Sequence, residues 1–362
     1  MRPGRRATRA DDTVAQKSVT LKDVALAANV SRATAARALN NYGYVGGEAA
    51  ERVLQAAESL GYRGNRVAQA LRRGQLPLIG FMPGDIQNPF FARVAHDVDV
   101  ELRASRHNLL IASSEEDPEQ ERELLESLRS LNVRGFIVAP TSADDNAHLM
   151  GLVKEGVPLV LIDRPLPEVA CDSVTVDNEG GAREAVNYLI ANGHRRIGLI
   201  QDDSRITTAR GRLAGYLQAL QNHGIEVDES LIIVSRSTVE YAIDATIRLF
   251  SRPSRPTALF TVDSLMTQGA LLGLRSMGLA VPHDVSVVGF DDFNLATFTD
   301  PQITVVAQPV AQIGPLAVKL LLQRINGSTE PPHAAQFPTR LIVRGSVSRP
   351  SAAQKRQQPS HR

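Results

Sequence analysis

Asn88, Phe90 and Phe91 in "PGDIQNPFF", Asp163 and Arg164 in "LIDR", Arg212 in "TTARGRLAGY", Asp263 in "FTVDSL", Asp291 in "VVGFDD" and Gln308 in "VAQP" have side chains suited to holding a small molecule. Most come just after a short apolar run. Carboxylates, guanidinium groups and amides offer fixed donors and acceptors to hydroxyls, and aromatic rings cover the apolar face of a sugar ring. Together they describe a monosaccharide pocket. Singly, each has a plainer reading. Phe91 falls on the apolar face of a helix and could be core alone. Asp163 and Arg164 could form a strand-end turn with a surface ion pair, and Asp291 with Asp292 could cap a helix. Their recurrence after successive apolar runs favours a site.

A second group sits near the front, in "SRATAARALNNYGYV" from Ser31 to Val45. The stretch reads as a helix with a narrow apolar side made of Ala35, Ala38 and Leu39. Arg32, Ala33, Ala36, Arg37 and Asn40 are left facing outward. An outward arginine near a helix start can bond both acceptors on the major-groove edge of a guanine. Arg32, Ala33 and Arg37 are therefore expected to meet base edges.

Catalytic readings are weaker. Asp291 and Asp292 could in principle work as an acid–base pair on a glycoside, but adjacent residues seldom point into one site. The sequence has no nucleophile elbow, no P-loop and no metal-ligand spacing, and "GLIQDD" at 198–203 lacks the glycines of a dinucleotide fingerprint. His194 reads as a strand-entry residue. Cys171 is the single cysteine and reads as an apolar filler, excluding an internal disulfide framework. No catalytic residue, metal or cofactor is expected.

Several elements must position these groups. Residues 1–76 hold 13 Lys and Arg against 6 Asp and Glu, while the rest holds 27 against 33, so a basic front precedes an acidic body. In the front, Thr20 precedes "LKDVALAAN" with Asp23 three residues on, and Leu21, Val24, Ala25 and Ala28 mark one helical face. Asn29 and Val30 make a tight connection, and Ser31 caps the second helix. A third helix over 47–60 turns Ala50, Val53, Leu54, Ala57 and Leu60 inward and stops at Gly61. Two short helices on a tight turn, the second presenting arginines, read as a helix-turn-helix.

After Gly74, apolar runs at 78–82, 109–112, 135–139, 158–162, 197–200, 258–261 and 285–290 alternate with helical stretches. One of those helices carries Phe91, Val94, Ala95, Val98 and Leu102 on one face. Such alternation predicts parallel sheets covered on both sides, and about 270 residues of it predicts two Rossmann-like lobes with a ligand in the cleft at the strand ends.

"VTLKDVALAANVSRATAARALN" followed by "ERVLQAAESLGYRGNRVAQALRRG" resembles the DNA-binding head and hinge of the LacI family of bacterial transcription regulators, and the likeness runs through nearly the whole chain. The resemblance implies a core of periplasmic-binding-protein type I. It also implies that Asn65–Arg72 becomes a helix on operator DNA, two such helices pairing in a homodimer to wedge Leu71 into the minor groove of a pseudo-palindromic site. The DNA-facing set is then Thr20, Ser31, Arg32, Ala33, Thr34, Arg37 and Asn40 on the head, with Asn65, Arg66, Ala70, Leu71 and Arg72 on the hinge. Arg66 and Arg72 fall to phosphates. Gly64 stands where the family usually has proline, and Gly46–Gly47 where it has a serine cap, so a hinge looser without DNA is expected. The pocket set resembles that of ribose-binding proteins and sugar-responsive relatives at every position except Asp263, where asparagine is commoner.

The expected organisation is a disordered arm (1–17), a head (18–64), a hinge (65–76), a core (77–349) and a disordered tail (350–362). Within the core, lobe 1 spans about 77–176 and 306–335, and lobe 2 about 177–305 and 336–349. The basic N-terminus lacks a following apolar stretch and no run approaches a bilayer span, so a cytoplasmic protein with no membrane partner is expected. The tail has no apolar heptads, which disfavours a C-terminal coiled-coil tetramer. The expected activity is that of a repressor controlled by a ribose-like sugar. A purine-type effector, or a sugar-binding protein without DNA function, is the alternative.

Overall fold

The computed structural model describes residues 19–40, 43–62 and 77–351. They fall into two compact units, divided between Leu76 and Pro77.

The first unit holds α1 (Leu21–Ala27), α2 (Arg32–Asn40) and α3 (Gly47–Ser59). The Asp23 carboxylate accepts from the Thr20 backbone N–H at 2.8 Å and from its hydroxyl at 2.7 Å, fixing the entry to α1. Asn29 takes up the turn at φ 51°. The core is small: Val24, Ala25, Ala28, Ala35, Val53, Ala56 and Ala57. Expectation and structure part at α3, where Leu54 is 55% and Leu60 38% exposed. The buried stripe is centred on Val53, Ala56 and Ala57, because small side chains let α3 approach α1 and α2 closely. Leu54 is thereby left on the flank.

The second unit contains two six-stranded sheets. One is built from β1 (Leu78–Met82), β2 (Asn108–Ile111), β3 (Phe136–Val138), β4 (Leu159–Ile162), β5 (Asp172–Val176) and β11 (Ala334–Phe337), in the order β11-β5-β4-β3-β1-β2. Helices α4 (Pro89–Ala104), α5 (Pro118–Ser130), α6 (Ala147–Lys154) and α12 (Val310–Ile325) belong with it. The other is built from β6 (Ile197–Gln201), β7 (Ile232–Val234), β8 (Ala258–Thr261), β9 (Ser286–Phe290), β10 (Thr304–Ala307) and β12 (Arg340–Ile342), in the order β12-β10-β9-β8-β6-β7. It carries α7 (Asn178–Ala191), α8 (Thr207–Asn222), α9 (Val239–Phe250), α10 (Ser264–Ser276) and α11 (Asn294–Phe298).

These are the two parallel Rossmann-like lobes that the alternating pattern predicts, with one exception: β12 runs antiparallel to β10. The strand orders superimpose, so β4 and β9 hold equivalent places, as do β1 and β6. Two lobe crossings fall slightly later than expected. Residues 306 and 307 still belong to β10, Val306 pairing with Phe290 of β9 and Ala307 with Arg340 of β12, and residues 336 and 337 pair with β5 as part of β11. Ladder bonding, not hydropathy, sets those boundaries. Pro350, expected to open the tail, is instead buried and ordered.

Each lobe has its own core, Ile79, Phe81, Val94 and Ile162 among the residues of the first and Leu199, Phe260, Val288 and Val305 of the second, all fully buried. α7 and α8 pack so tightly that a Cβ placed on Gly215 would come within 2.2 Å of the Glu179 carbonyl oxygen, so only glycine fits there. His194, just before β6, is buried between the Thr257 hydroxyl and the Ser348 carbonyl, each 2.9 Å from a ring nitrogen. Burial lowers its pKa to about 4. Cys171 is packed beside the apolar cluster of α5, α6 and β4, and burial pushes its thiol up to about 12.

Candidate functional site

The loops after the strands supply the chemistry. In the first lobe the chain leaves β1 through Asp85 to Asn88, which caps α4: its Oδ1 accepts from the Phe90 N–H at 3.0 Å, ahead of Pro89 at the first helical position. After β4 comes Asp163 at φ 63°, and after β9 in the second lobe comes Asp291 at φ 73°. Both carboxylates thus project from equivalent strand ends in a left-handed conformation that aspartate tolerates better than most residues. Asp263 follows β8 and caps α10, accepting from the Met266 N–H at 2.7 Å.

Asn88, Phe90, Phe91, Asp163, Arg164, Arg212, Asp263, Asp291 and Gln308 all line one narrow cavity. The nine side chains singled out in the sequence are therefore brought together. Phe90 and Phe91 are buried edge to face with ring centres 5.1 Å apart, so Phe91 serves the core as well as the cavity wall. The lobes meet around the cavity, where the Ser264 hydroxyl donates to Asn88 Oδ1 at 3.0 Å. Beyond it, the Ala143 N–H donates to the Arg205 carbonyl at 2.9 Å, and Arg210 pairs with Asp144.

The two guanidinium groups are fixed differently. Arg164 donates to both oxygens of Glu116 at 2.5 and 2.6 Å and to the Pro140 carbonyl at 2.9 Å, a bidentate pair with the guanidinium buried. Arg212 lies 3.7 Å over the Phe290 ring, donates to Asn178 Oδ1 at 2.8 Å and also bonds the Val262 carbonyl. The remaining polar groups are held but not saturated. Gln308 donates to Asp291 Oδ1 at 2.6 Å, yet Gln308 Oε1 and Asp163 Oδ1 are buried without a hydrogen-bond partner among the described residues. Two unspent acceptors in a cavity wall are places for ligand donors.

Burial governs the ionisation of these acids. It raises Asp291 to about 6, against the pull of Arg212 and the Gln308 amide, and it raises Asp163 and Asp263 as well. Sequence reasoning missed Asp85, Glu116, Asp202, Thr208 and Ser237, which also line the cavity. Glu116 follows β2 and Asp202 follows β6, so the strand-end rule that found Asp163 and Asp291 would have found them too. Burial raises Asp202 to about 7, with Asp263 adding repulsion.

On the head, the Ser31 hydroxyl accepts from the Thr34 N–H at 3.0 Å and sits 2.8 Å from the Thr34 hydroxyl, so both residues build the start of α2. Thr20, Arg32, Ala33 and Arg37 are exposed, and Thr34 is half-buried. The side chain of Asn40, and Asn65, Arg66, Ala70, Leu71 and Arg72 with the glycine-flanked hinge, lie outside the described residues, as do the arm and most of the tail. Among the described residues, no helix is long and apolar enough to cross a membrane.

Comparison with known proteins now bears on both units. Residues 20–65 match the family of bacterial regulatory proteins, lacI family, and residues 186–347 match a periplasmic binding protein-like domain. The HTH-type transcriptional regulator GalS of Salmonella typhimurium strain LT2 is 36% identical over 330 residues, covering 91% of this chain and 97% of its own. A solved complex of the transcriptional regulator CelR with cellobiose is 32% identical, with a TM-score of 0.69, covering 91% of this chain and 99% of that one. The lac repressor dimer bound to operator and the anti-inducer ONPF is 26% identical, with a TM-score of 0.77 and coverage of 92% and 100%. On a helix-turn-helix head, two periplasmic-binding-type lobes and relatives matched nearly end to end, the chain belongs to the lacI family: it is a DNA-binding transcriptional regulator, not an enzyme.

Proposed function

We propose that this regulator is a cytoplasmic, homodimeric repressor whose affinity for a pseudo-palindromic operator is set by a small polyhydroxylated, sugar-type effector held between the two lobes. The observation that carries this reading is the convergence of side chains from the strand ends of both lobes on one cavity, Asp163 from β4 and Asp291 from β9 at equivalent places, with Asp163 Oδ1 and Gln308 Oε1 unspent. A hydroxyl-rich ligand donates to such acceptors and lays its apolar face against Phe90. The cellobiose in the CelR complex supports the sugar class, and the operator-bound lac repressor dimer supports the assembly. So does the exposed apolar surface of Leu272, Leu295 and Phe298 on the second lobe.

On the head, Arg32 and Arg37 read bases. Thr20, Ser31, Thr34 and Asn40 complete its DNA face, and Arg66, Arg72 and the hinge set around Leu71 add phosphate and minor-groove contacts. Effector bridging Arg164 on one lobe and Arg212 with Asp291 on the other favours one lobe arrangement, and with it one spacing of the paired hinges. It can change operator affinity by no more than its own affinity differs between arrangements. A ribose-sized sugar is expected to weaken operator binding.

The test is an operator titration by fluorescence anisotropy, using a duplex selected from a randomised palindromic pool, with and without D-ribose, D-galactose, cellobiose and hypoxanthine. Asp291→Ala and Arg164→Ala should each remove the response. A full sugar response in both variants overturns the pocket assignment, and a response to hypoxanthine alone overturns the sugar class.

A further inference from the structure

The cavity wall carries more acidic than basic side chains, a difference that a neutral sugar leaves uncancelled. The wall holds six carboxylates, from Asp85, Glu116, Asp163, Asp202, Asp263 and Asp291, against two guanidinium groups, those of Arg164 and Arg212. Arg164 is already taken by Glu116 in the bidentate pair, with Asp163 Oδ2 a further 3.5 Å from its Nε. Arg212 is left as the other cation against five remaining carboxylates, and it hydrogen-bonds the neutral Asn178 amide and the Val262 carbonyl. The other basic groups nearby are turned to acids outside the cavity, Arg205 to Asp203 and Arg210 to Asp144.

Few of these charges can be shed into solvent. Asp163, Asp263 and Asp291 are each 7% exposed or less. Asp263 is fixed as an acceptor by the Met266 N–H and by the Ser237 hydroxyl at 2.5 Å, and Asp291 by the Gln308 amide. Asp163 Oδ1 and Gln308 Oε1 lack hydrogen-bond partners among the described residues, so the wall presents free acceptors as well as an excess of acids. Uncompensated buried charge is expensive, and a hydroxyl group donates a hydrogen bond without cancelling any of it. A metal ion is not what the geometry fits, since no group of three acidic, histidine or cysteine ligands is close enough together among the described residues.

We infer that the effector is a sugar-sized polyol carrying a protonated amine, an amino sugar in chemical class, with the ammonium group directed at Asp202 and Asp263. This rests on the reading of the cleft as the effector site. Phe90, Asn88 and Gln308 serve the carbon skeleton and its hydroxyls, and Asp202 and Asp263, from the ends of β6 and β8, serve the charge. Burial disfavours the charged form of both acids in the unliganded protein, Asp202 being raised to about 7, and a cation placed between them favours their carboxylate forms and releases protons held there.

The experiment is a set of matched melting and calorimetric titrations on the full-length protein, with D-glucosamine, D-glucose and N-acetyl-D-glucosamine, with D-galactosamine and D-galactose, and with spermidine as a cation lacking hydroxyls. At least one amino sugar should bind about tenfold or more tightly than both its neutral parent and its acetylated form. Asp202→Asn and Asp263→Asn should each cut that preference severalfold, the amino sugar losing far more affinity than its neutral parent, a selective change that mere unfolding would not produce. A neutral sugar that binds as tightly as its amine overturns the cationic effector but leaves the sugar-type reading standing. Hypoxanthine binding with no response to any sugar or amino sugar overturns both, and spermidine outcompeting every sugar overturns the polyol component.

Discussion

Replacing Glu116 by glutamine tests whether burial, rather than the presence of an ion pair, determines what holds the cleft wall together. Glu116 pairs with Arg164 through both oxygens, at side-chain exposures of 22% and 6%. Removing one partner of a buried pair commonly costs about 3–5 kcal/mol, because the other charge is left in a poor solvent. Here the loss is reduced on two counts. Glutamine keeps one acceptor for a guanidinium N–H, and Asp163 Oδ2 is already 3.5 Å from Arg164 Nε and inherits the charge. The expected cost is then about 1–3 kcal/mol. At roughly 2–4 °C per kcal/mol for a domain of this size, its middle value lowers the melting temperature by roughly 4–8 °C. The control is Glu119→Gln on α5, which also pairs with an arginine, Arg122, but through a side chain 81% exposed. That variant should melt with the wild type, because solvent screens an exposed pair. The assay is differential scanning calorimetry of the two variants side by side, followed by sugar titration. Coincident melts would refute the reasoning, and so would an Asp163 replacement that leaves the Glu116→Gln loss unchanged.

Three further outcomes follow from other parts of the molecule. Arg37→Ala should lose about 1–3 kcal/mol of discrimination between operator and random duplex, measured by competition anisotropy, whereas equal weakening on both would confine Arg37 to phosphate contact. Burial raises Asp202 to about 7, so the ligand-free native state holds a proton there that the unfolded chain has already lost. Its contribution to stability is present at low pH and disappears as pH rises toward and through 7. Asp202→Asn should therefore gain stability over the wild type progressively between pH 4 and pH 8, and a gap that stays constant across a pH series of melts contradicts the assignment. Gly215→Ala should destabilise the second lobe by about 1–3 kcal/mol in denaturant titration, since the added methyl meets the Glu179 carbonyl at 2.2 Å; an unchanged midpoint would show that α7 and α8 can part freely.

The sequence was legible where a single periodicity settled the matter and less so where partners at long range decide. The seven apolar runs that read as strands are strands; six are largely buried, as a strand covered on both faces is apolar throughout, and only the edge strand β2 is partly exposed. β5, β7, β10, β11 and β12 escaped notice. "DSVTV" is polar at alternate positions, and "AAQF" and "RLI" sit at sheet edges with half-exposed side chains, so only pairing with distant strands makes them visible. Asn29, Ser31 and Gly61 were readable as turn, cap and stop because each acts within one turn of chain. Leu54 was misplaced because hydropathy ranks leucine above alanine, whereas the close helix crossing selects the smaller side chain. At the cleft, the strand-end rule located seven of the nine wall residues, Arg212 inside α8 and Gln308 beyond the unnoticed β10 being the others, but it was applied to only some strands, so Glu116 and Asp202 went unseen. Their importance is electrostatic and emerges only once six carboxylates are found around one space.

In the proposed regulator, occupancy of the cleft and occupancy of DNA are coupled. The most direct measurement is the affinity of the full-length protein for D-ribose, D-galactose and D-glucosamine by calorimetry, with and without saturating operator duplex, beside the operator affinity with and without each saturating compound. Coupling between two sites is reciprocal, so the compound that weakens operator binding by a given factor must itself bind more weakly, by that same factor, when operator is present. The account predicts equal factors in the wild type and a factor of one for both in Asp291→Ala. A compound that binds in the cleft with the same affinity whether or not operator is bound would contradict it.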